Sequence, residues 1–284
     1  MRLEDQQASR NIEDRRGMGI SPGLAGGGIG TIAIVLLALF FGIDPGVLLQ
    51  GLPQSEPAPQ QMQQRSGQSG VPQDDEMGRF VAKVLGSTET AWGEIFQAAG
   101  RRYTQPHLVL FSGSVKSACG MAQAAVGPFY CANDQKVYID LAFYRDLRER
   151  FKAPGDFAQA YVIAHEIGHH VQNQLGIMDQ VHAAQQRAGE REGNAISVRL
   201  ELQADCFAGV WANHANRKGS LLDQGDIEEG LNAATQIGDD RIQMRTRGYV
   251  APDSFTHGSG AQRVQWFRRG LESGDMRQCD TFGR

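Results

Sequence analysis

The stretch Ala164–His170 reads AHEIGHH and decides what kind of fold this chain can adopt. Within it, His165, Glu166 and His169 form the pattern H-E-x-x-H, and the apolar run at residues 157–164 predicts a buried helix. Histidines four positions apart lie on one face of a helix, so both imidazoles can bind one cation. Zinc accepts imidazole nitrogen, and the adjacent glutamate can take a proton from water. The pattern therefore predicts a zinc site with a general base, and the alternative is a solvated helix face that carries histidines as polar filler.

A second acidic pair stands on another predicted helix, in the sequence ELQAD. Its two acids, Glu201 and Asp205, are four positions apart and so share a face. We expect Glu201 to be the third ligand of one Zn²⁺, and Asp205 to accept the second ring N–H of a ligating histidine. Glu190 and Glu192 are alternative ligands, but neither has an acid four positions later and both lie outside the apolar part of the helix.

The residues after His169 exclude one class of zinc peptidase. The metzincin pattern H-E-x-x-H-x-x-G-x-x-H requires a glycine and then a histidine there. This chain has Gln172 and Leu175 at those two positions. The class that remains takes its third ligand from a glutamate. His170 lies about 100° round the helix from His169, so we expect it to be a structural residue or a hydrogen-bond partner of a ligand, and not a ligand itself.

Length and composition fit one globular domain with a segment attached. The 284 residues are 41% hydrophobic and 21% charged, which supports a packed core and excludes a wholly disordered chain. Lys and Arg number 28 against 32 Asp and Glu, for a net charge of -4. A nucleic-acid binder would carry a clustered positive excess, so no nucleic-acid partner is expected.

The N-terminal quarter of the chain predicts a membrane anchor and a tether. Between Gly17 and Ile43 there is no charged residue. Residues 20–43 are long enough to cross a bilayer core of about 30 Å as a helix, and a cleaved signal peptide is the alternative. The Pro- and Gln-rich residues 44–75 predict a disordered tether, followed by a domain at 76–284.

Cations near the two ends of the span predict its orientation. The segment 1–19 contains four arginines, Arg2, Arg10, Arg15 and Arg16. No Lys or Arg follows the span until Arg65. The positive-inside rule therefore predicts a single-pass protein of the inner (plasma) membrane, with a cytoplasmic N-terminus and a periplasmic or extracellular domain.

The four cysteines are Cys119, Cys131, Cys206 and Cys279, and they contain no C-x-x-C, so a structural zinc site is not expected. In an oxidising compartment they can pair in three ways. We favour Cys119 with Cys131, which closes a short loop, and Cys206 with Cys279, which ties the C-terminal tail to the helix of Glu201. Four reduced, buried thiols are the alternative if the topology differs.

Periodicity predicts a mainly helical α+β domain with a small sheet. The predicted helices cover residues 77–99 (with a break near Gly86), 157–175, 192–216, 226–245 and 262–273. The predicted strands cover 107–111 and 136–143. We expect an extended substrate to pair with the strand around 137–143, as peptides do at sheet edges.

Several separated motifs resemble one protein family. HEIGHH and ELQAD, with GPFYC at 127–131, VYIDLAF, THGS at 256–259, AQRVQWF and CDTF at 279–282, resemble the bacterial membrane-anchored neutral zinc metallopeptidases. The likeness covers nearly the whole chain. More distantly, HExxH followed by ExxAD is similar to the CAAX-prenyl and heat-shock membrane proteases. The resemblance implies a zincin-like fold and a zinc peptidase activity, and it supplies no substrate.

A histidine beyond the two predicted zinc helices is a candidate for stabilising the transition state. His257 lies in a Gly- and Ser-rich turn, and Arg263 follows at a spacing similar to the histidine and arginine of the CAAX-prenyl and heat-shock proteases. We expect His257 to donate to the developing oxyanion, and Arg263 to pair with a carboxylate and brace the loop. Gly258 lies where the CAAX-prenyl and heat-shock proteases often have proline, so a looser loop is expected here. The alternative is a histidine that only caps the next helix or bonds a backbone carbonyl.

These features predict a membrane-anchored, extracytoplasmic zinc endopeptidase with Glu166 as general base. Its partners would be a polypeptide substrate of unknown identity and the lipid bilayer through residues 20–43. A catalytically silent, zinc-stabilised binding or assembly module is one competing hypothesis, and an anchor with decorative histidines is another. A silent module has no chemical need for a glutamate base, so Glu166 favours the enzyme.

Overall fold

Eight helices and seven strands occur in the part of the chain that the computed structural model describes, residues 1–17, 68, 69, 71–123 and 127–283. The helices are α1 (Glu76–Ala98), α2 (Ala142–Glu149), α3 (Asp156–Gln174), α4 (Ile177–Gln185), α5 (Glu190–Gly219), α6 (Asp226–Gln236), α7 (Asp239–Arg247) and α8 (Gly260–Ser273). The strands are β1 (Ile12–Asp14), β2 (Gln68–Ser69), β3 (His107–Phe111), β4 (Ser114–Ser117), β5 (Gly120–Gln123), β6 (Phe129–Cys131) and β7 (Lys136–Asp140). The prediction of a mainly helical α+β fold with a small sheet is confirmed.

A five-stranded sheet with the order β2-β1-β3-β7-β6 lies beside the helices, and β4 and β5 form a separate hairpin. Strand β3 pairs in parallel with both β1 and β7, whereas β6 pairs antiparallel with β7. Leu108 and Leu110 of β3 belong to the main core with α3 and α5, and Val109 and Phe111 to a second cluster on the other face. Because both faces are covered, β3 reads as a continuous apolar run.

Three predicted elements differ from the observed ones. Helix α1 is continuous through Gly86, where a Cβ would lie 2.0 Å from the carbonyl oxygen of Gln7, so this glycine allows a close approach and not a break. The predicted strand 136–143 ends at Asp140, and its last residues begin α2. The predicted helix 226–245 is two helices, interrupted at Gly238, where a Cβ would lie 2.2 Å from the nitrogen of Gly260.

Residues 1–16 lie in the domain itself, which differs from the prediction of a separate segment 1–19. Met1–Arg16 and Gln68–Arg284 form one compact unit, and Ile12 of β1 is in register with Leu108 of β3. Ser9 Oγ and Asn11 Nδ2 donate to the Glu89 carboxylate of α1 over 2.8 and 2.7 Å. The burial of apolar side chains and the hydrogen bonds of β1 therefore hold this segment in the domain, although it contains many charged residues.

Three of the four arginines that predicted the orientation form ion pairs within this unit. Arg2 pairs with Asp223 at 3.0 Å, and Arg15 pairs with Glu13 at 2.8 Å. Arg16 pairs with the carboxylates of Asp14 and Asp75, both at 2.5 Å. Hydrogen-bonded strands lie on the same side of any membrane, so β1 beside β3 does not support a single crossing between them.

The predicted span at residues 20–43 lies outside the described residues, as does most of the predicted tether at 44–75. Among the residues that are described, no helix combines the length and apolar character needed to cross a membrane. The membrane anchor therefore stays a prediction.

Helices α5 and α8 cross at very short range, and this crossing positions part of the site. A Cβ on Gly270 would lie 1.9 Å from the carbonyl oxygen of Cys206, and one on Gly209 would lie 2.1 Å from that of Phe267. Only glycine allows the two backbones to approach so closely. The crossing places Arg263, near the start of α8, against the middle of α5.

Both predicted disulfide pairs are confirmed. Cys119 is bonded to Cys131, between the β4–β5 hairpin and β6. Cys206 of α5 is bonded to Cys279, so the C-terminal tail is tied to the helix that carries Glu201. The second bond joins residues 73 positions apart and so removes more freedom from the unfolded chain than the first.

Candidate functional site

Helices α3 and α5 approach closely at the centre of the domain and bring the predicted ligands together. A Cβ on Gly168 would lie 2.8 Å from the carbonyl oxygen of Ala204, so the glycine within H-E-x-x-H permits the contact. His165 and His169 lie on the face of α3 that meets Glu201 of α5.

Two imidazoles and one carboxylate face each other across this contact. His165 Nε2 lies 3.1 Å from Glu201 Oε2, and His169 Nε2 lies 3.4 Å from Glu201 Oε1. One potential ligand atom from each residue lies within 4.8 Å of the other two. Ligands bound to tetrahedral zinc at about 2.0–2.2 Å are separated by about 3.3–3.6 Å. These donors are therefore close enough together to hold a single zinc ion.

The remaining ring nitrogen of each histidine has a partner that turns Nε2 towards Glu201. His165 Nδ1 lies 2.8 Å from Asp205 Oδ1, as expected for an acceptor that fixes the tautomer. His169 Nδ1 lies 2.9 Å from Gln172 Oε1. The amide nitrogen of Gln172 donates to Leu200 O at 2.7 Å, which leaves its oxygen for the histidine. The role of Gln172 was not predicted. Its position three residues after His169, on the same face of the helix, is the feature of the sequence that could have indicated it.

Asp205 is fully buried and is the centre of a charged network. Arg263, 3% exposed, donates to it through Nε and Nη2, both at 2.9 Å, and the Tyr161 hydroxyl donates to it as well. Burial alone would raise the pKa of Asp205, but Arg263 and His165 lower it to about 2. Arg263 thus pairs with a carboxylate, as predicted, and this carboxylate belongs to α5. Arg263 also donates from Nη1 to Ile237 O at 3.4 Å, just after α6. This hydrogen bond is not made to the loop of His257, which Arg263 was expected to support.

The charges of the site favour a divalent cation between the histidines and Glu201. Asp205 and Arg263 neutralise each other, which leaves the carboxylates of Glu166 and Glu201. Burial would lower the pKa of His165, but Asp205 and Glu201 raise it to about 10. The same two histidines hold the pKa of Glu201 well below its usual range, against burial. When a divalent cation binds, the histidines lose their extra protons, and the two positive charges of the cation balance the carboxylates of Glu166 and Glu201.

A surface cleft of about 390 Å³ opens beside this group. Glu166 and His257 lie in its wall, together with an apolar set, Phe143, Phe151, Val162, Ile237 and Ile242. The Glu166 side chain is largely buried and lies next to His165 in sequence, so it is close to both the metal-ligand group and the cleft. The site therefore has a carboxylate base and a histidine on the walls of one cleft.

The strand at the cleft is β6 and not the predicted strand around 137–143. Strand β7 has β3 on one side and β6 on the other, so both of its edges are already paired. Strand β6 is one of the two edge strands of the five-stranded sheet, and residues 127–130 line the cleft. Because β3 and β6 both pair with Lys136, Val137 and Tyr138, this part of the strand has no free edge, and the pairing of a peptide with the strand around 137–143 stays a prediction.

The alternative ligands lie elsewhere. Glu190 and Glu192 are exposed in the first turn of α5. His170 is fully buried, with Nδ1 3.0 Å from the Tyr130 hydroxyl and Nε2 2.7 Å from Thr104 O. These contacts are those of a structural histidine.

An H-E-x-x-H helix completed by a glutamate from a second helix, within a mainly helical α+β fold, is consistent with a zincin-like metal-binding domain. Residues 1–282 match the family described as "Putative neutral zinc metallopeptidase", and the chain belongs to this family, as its motifs predicted.

Two relatives from distant bacteria show how far the similarity extends. The chain is 47% identical to the uncharacterized protein YpfJ of Escherichia coli K12 over 293 residues, which cover 100% of this chain and 99% of the relative. It is 41% identical to the uncharacterized protein Rv2575 of Mycobacterium tuberculosis H37Rv over 260 residues, which cover 86% and 85% of the two chains. No solved structure matches the chain.

Proposed function

We propose that this protein is a zinc-dependent endopeptidase in which Glu166 is the general base. The observation that carries the proposal is the convergence of His165, His169 and Glu201, with ligand atoms within 4.8 Å of one another, beside Glu166 in an open cleft. The family description supports zinc as the metal and peptide bonds as the target.

The residues of the cleft divide the hydrolysis of a peptide bond between them. When bound, zinc supplies a Lewis acid that activates water and polarises a carbonyl. Glu166 takes a proton from the attacking water, whose oxygen bonds to the carbonyl carbon, and gives this proton to the amine as the C–N bond breaks. His257 donates a hydrogen bond to the carbonyl oxygen as negative charge develops there. The products are a carboxylate and an amine.

The substrate in this proposal is an extended polypeptide. Strand β6 is an edge strand of the sheet and its neighbouring residues line the cleft, so a peptide can add to this edge next to Glu166. The apolar wall formed by Phe143, Phe151 and Val162 favours apolar side chains near the cleaved bond. The identity of the substrate is left to experiment.

Peptide-library cleavage by the full-length, zinc-loaded protein tests this function. We expect cleavage that a chelator abolishes and zinc restores, and that Glu166→Gln abolishes while its zinc content is unchanged. A protein that binds zinc but cleaves no peptide would favour the silent binding or assembly module instead.

We further propose that the domain works outside the cytoplasm, with residues 1–16 on the same side. The two disulfides support an oxidising compartment.

Chemical labelling in intact cells tests this location. A membrane-impermeant maleimide should label Glu4→Cys to the same extent as Glu272→Cys, since both positions are exposed. Alkylation before reduction should find all four native cysteines oxidised. Labelling of Glu272→Cys alone would contradict the shared side, and reduced native cysteines would contradict the outer location.

A further inference from the structure

The loop that carries His257 is held by the first residue of α7. The backbone N–H groups of Thr256, His257 and Gly258 all donate to Asp239 Oδ2, over 2.7, 2.7 and 3.1 Å. The backbone N–H of Asp239 donates in return to Gly258 O at 2.9 Å. A single carboxylate oxygen thus organises three consecutive peptide groups.

The other oxygen of the same carboxylate faces the imidazole. His257 Nδ1 lies 3.3 Å from Asp239 Oδ1 and 3.0 Å from Thr256 Oγ1. A carboxylate only accepts hydrogen bonds, so the proton of a neutral ring is held on Nδ1. Nε2, on the opposite side of the ring, then carries a hydrogen only when the imidazole is cationic.

We propose that Asp239 is a positioning residue for the hydrolysis, and that it orients His257 so that Nε2–H of the imidazolium points at the carbonyl oxygen of the peptide. This proposal rests on the proposed peptidase function. Asp239 acts through His257 and does not itself contact the reacting atoms.

The charges around His257 are consistent with a cationic ring. Asp239 is the largest influence and raises the pKa of His257, while burial acts in the opposite direction. Glu201 of α5 also raises this pKa and Arg263 of α8 lowers it. Because the folded pKa is raised, the imidazolium is present below it and is lost as the pH rises through it.

Asp239→Asn in the full-length, zinc-loaded protein tests the proposal, with Asp240→Asn as the matched control. Asp240 is the next residue of the same helical turn, and its Oδ1 accepts from the Gly260 backbone N–H at 2.7 Å. We expect Asp239→Asn to lower kcat roughly tenfold, less than the loss of the donor itself, with KM and zinc content unchanged. The alkaline limb of kcat should move to lower pH in Asp239→Asn and stay in place in Asp240→Asn.

Two further measurements separate positioning from general support of the loop. The NMR titration of the His257 ring should show a lower pKa in Asp239→Asn than in the native protein and in Asp240→Asn. In a His257→Ala background, Asp239→Asn should change kcat by less than twofold, because its partner is gone. An equal loss of kcat in both backgrounds, or an unchanged pKa of His257, would overturn the proposal.

A native protein that cleaves no peptide would overturn the peptidase function and this proposal together, whereas an active protein with an unchanged alkaline limb would overturn this proposal alone.

Discussion

Helices α3 and α5 hold the metal-binding residues, whereas a short loop before α8 holds His257, and the two regions differ in how they are fixed. In the helix pair, backbone contact at Gly168, the ion pair of Asp205 with Arg263 and the Cys206–Cys279 disulfide act together. In the loop, one carboxylate carries most of the hydrogen bonds, and the His257 side chain is 53% exposed.

This difference follows from what each region has to do. Three ligands bind one ion tightly only if their positions are set before the ion arrives, which a rigid pair of helices achieves. A group that stabilises developing charge acts on a substrate that must enter and leave, and loops meet that need at lower cost. Substitutions of the three ligands or of the helix contact should therefore affect metal binding and fold, whereas those in the loop should affect the rate alone.

The largest effect is expected from the ligands. Glu201→Ala should lose zinc nearly as completely as His165→Ala, and with it all activity. The loss of affinity should exceed the roughly 10- to 100-fold cost of removing an outer hydrogen-bond partner of a ligand. Metal analysis after dialysis measures this, with exposed Glu192→Ala as the control. One tightly bound zinc per chain in Glu201→Ala would show that the third ligand is a different residue.

Glu166→Gln should separate the base from the metal. The substitution keeps the size of the side chain and removes its ability to accept a proton, so kcat should fall roughly 10²- to 10⁴-fold while zinc stays bound. Steady-state kinetics and metal analysis of the same sample provide the comparison, with Glu190→Gln as a surface control. Native turnover in Glu166→Gln would mean that the base lies elsewhere.

His257→Ala should lower the rate of the reaction and leave the metal site unchanged. We expect kcat to fall roughly 10²- to 10³-fold, the scale of losing one oxyanion donor. Zinc content and KM should barely change, because the residue binds neither the metal nor the ground state. Exposed His182→Ala is the control. A loss of zinc, or a native kcat, in His257→Ala would remove the distinction between the two regions.

The smallest effect is a change in stability that reports on the helix contact. Gly168→Ala should reduce the free energy of unfolding by about 1–3 kcal/mol, because the new methyl group overpacks against the backbone of Ala204. Gly193→Ala in α5 meets nothing within 4 Å and should stabilise by about 0.5–1 kcal/mol. Urea denaturation of the two variants measures both, and equal stability would mean that α3 and α5 can separate freely.

Local geometry made much of the helix pair predictable. Histidines four positions apart share a helix face, and so do Glu201 and Asp205, so spacing alone predicted which side chains would meet. The two cysteine pairs were favoured among three possible pairings, and the structure confirmed them. The family resemblance directed attention to His257 and Arg263, but spacing contained no information on what they would contact.

The sequence by itself predicted the mainly helical class and the side chains that α3 and α5 bring together, because both depend on the spacing of residues along the chain. Only the tertiary structure decided that β1 lies beside β3, that Arg263 pairs with Asp205 and that Asp239 holds the His257 loop. Each of these contacts joins residues far apart in the chain. Such contacts depend on how closely two backbones approach each other at glycines such as Gly238 and Gly270. The local sequence around a glycine does not show which distant backbone it will contact.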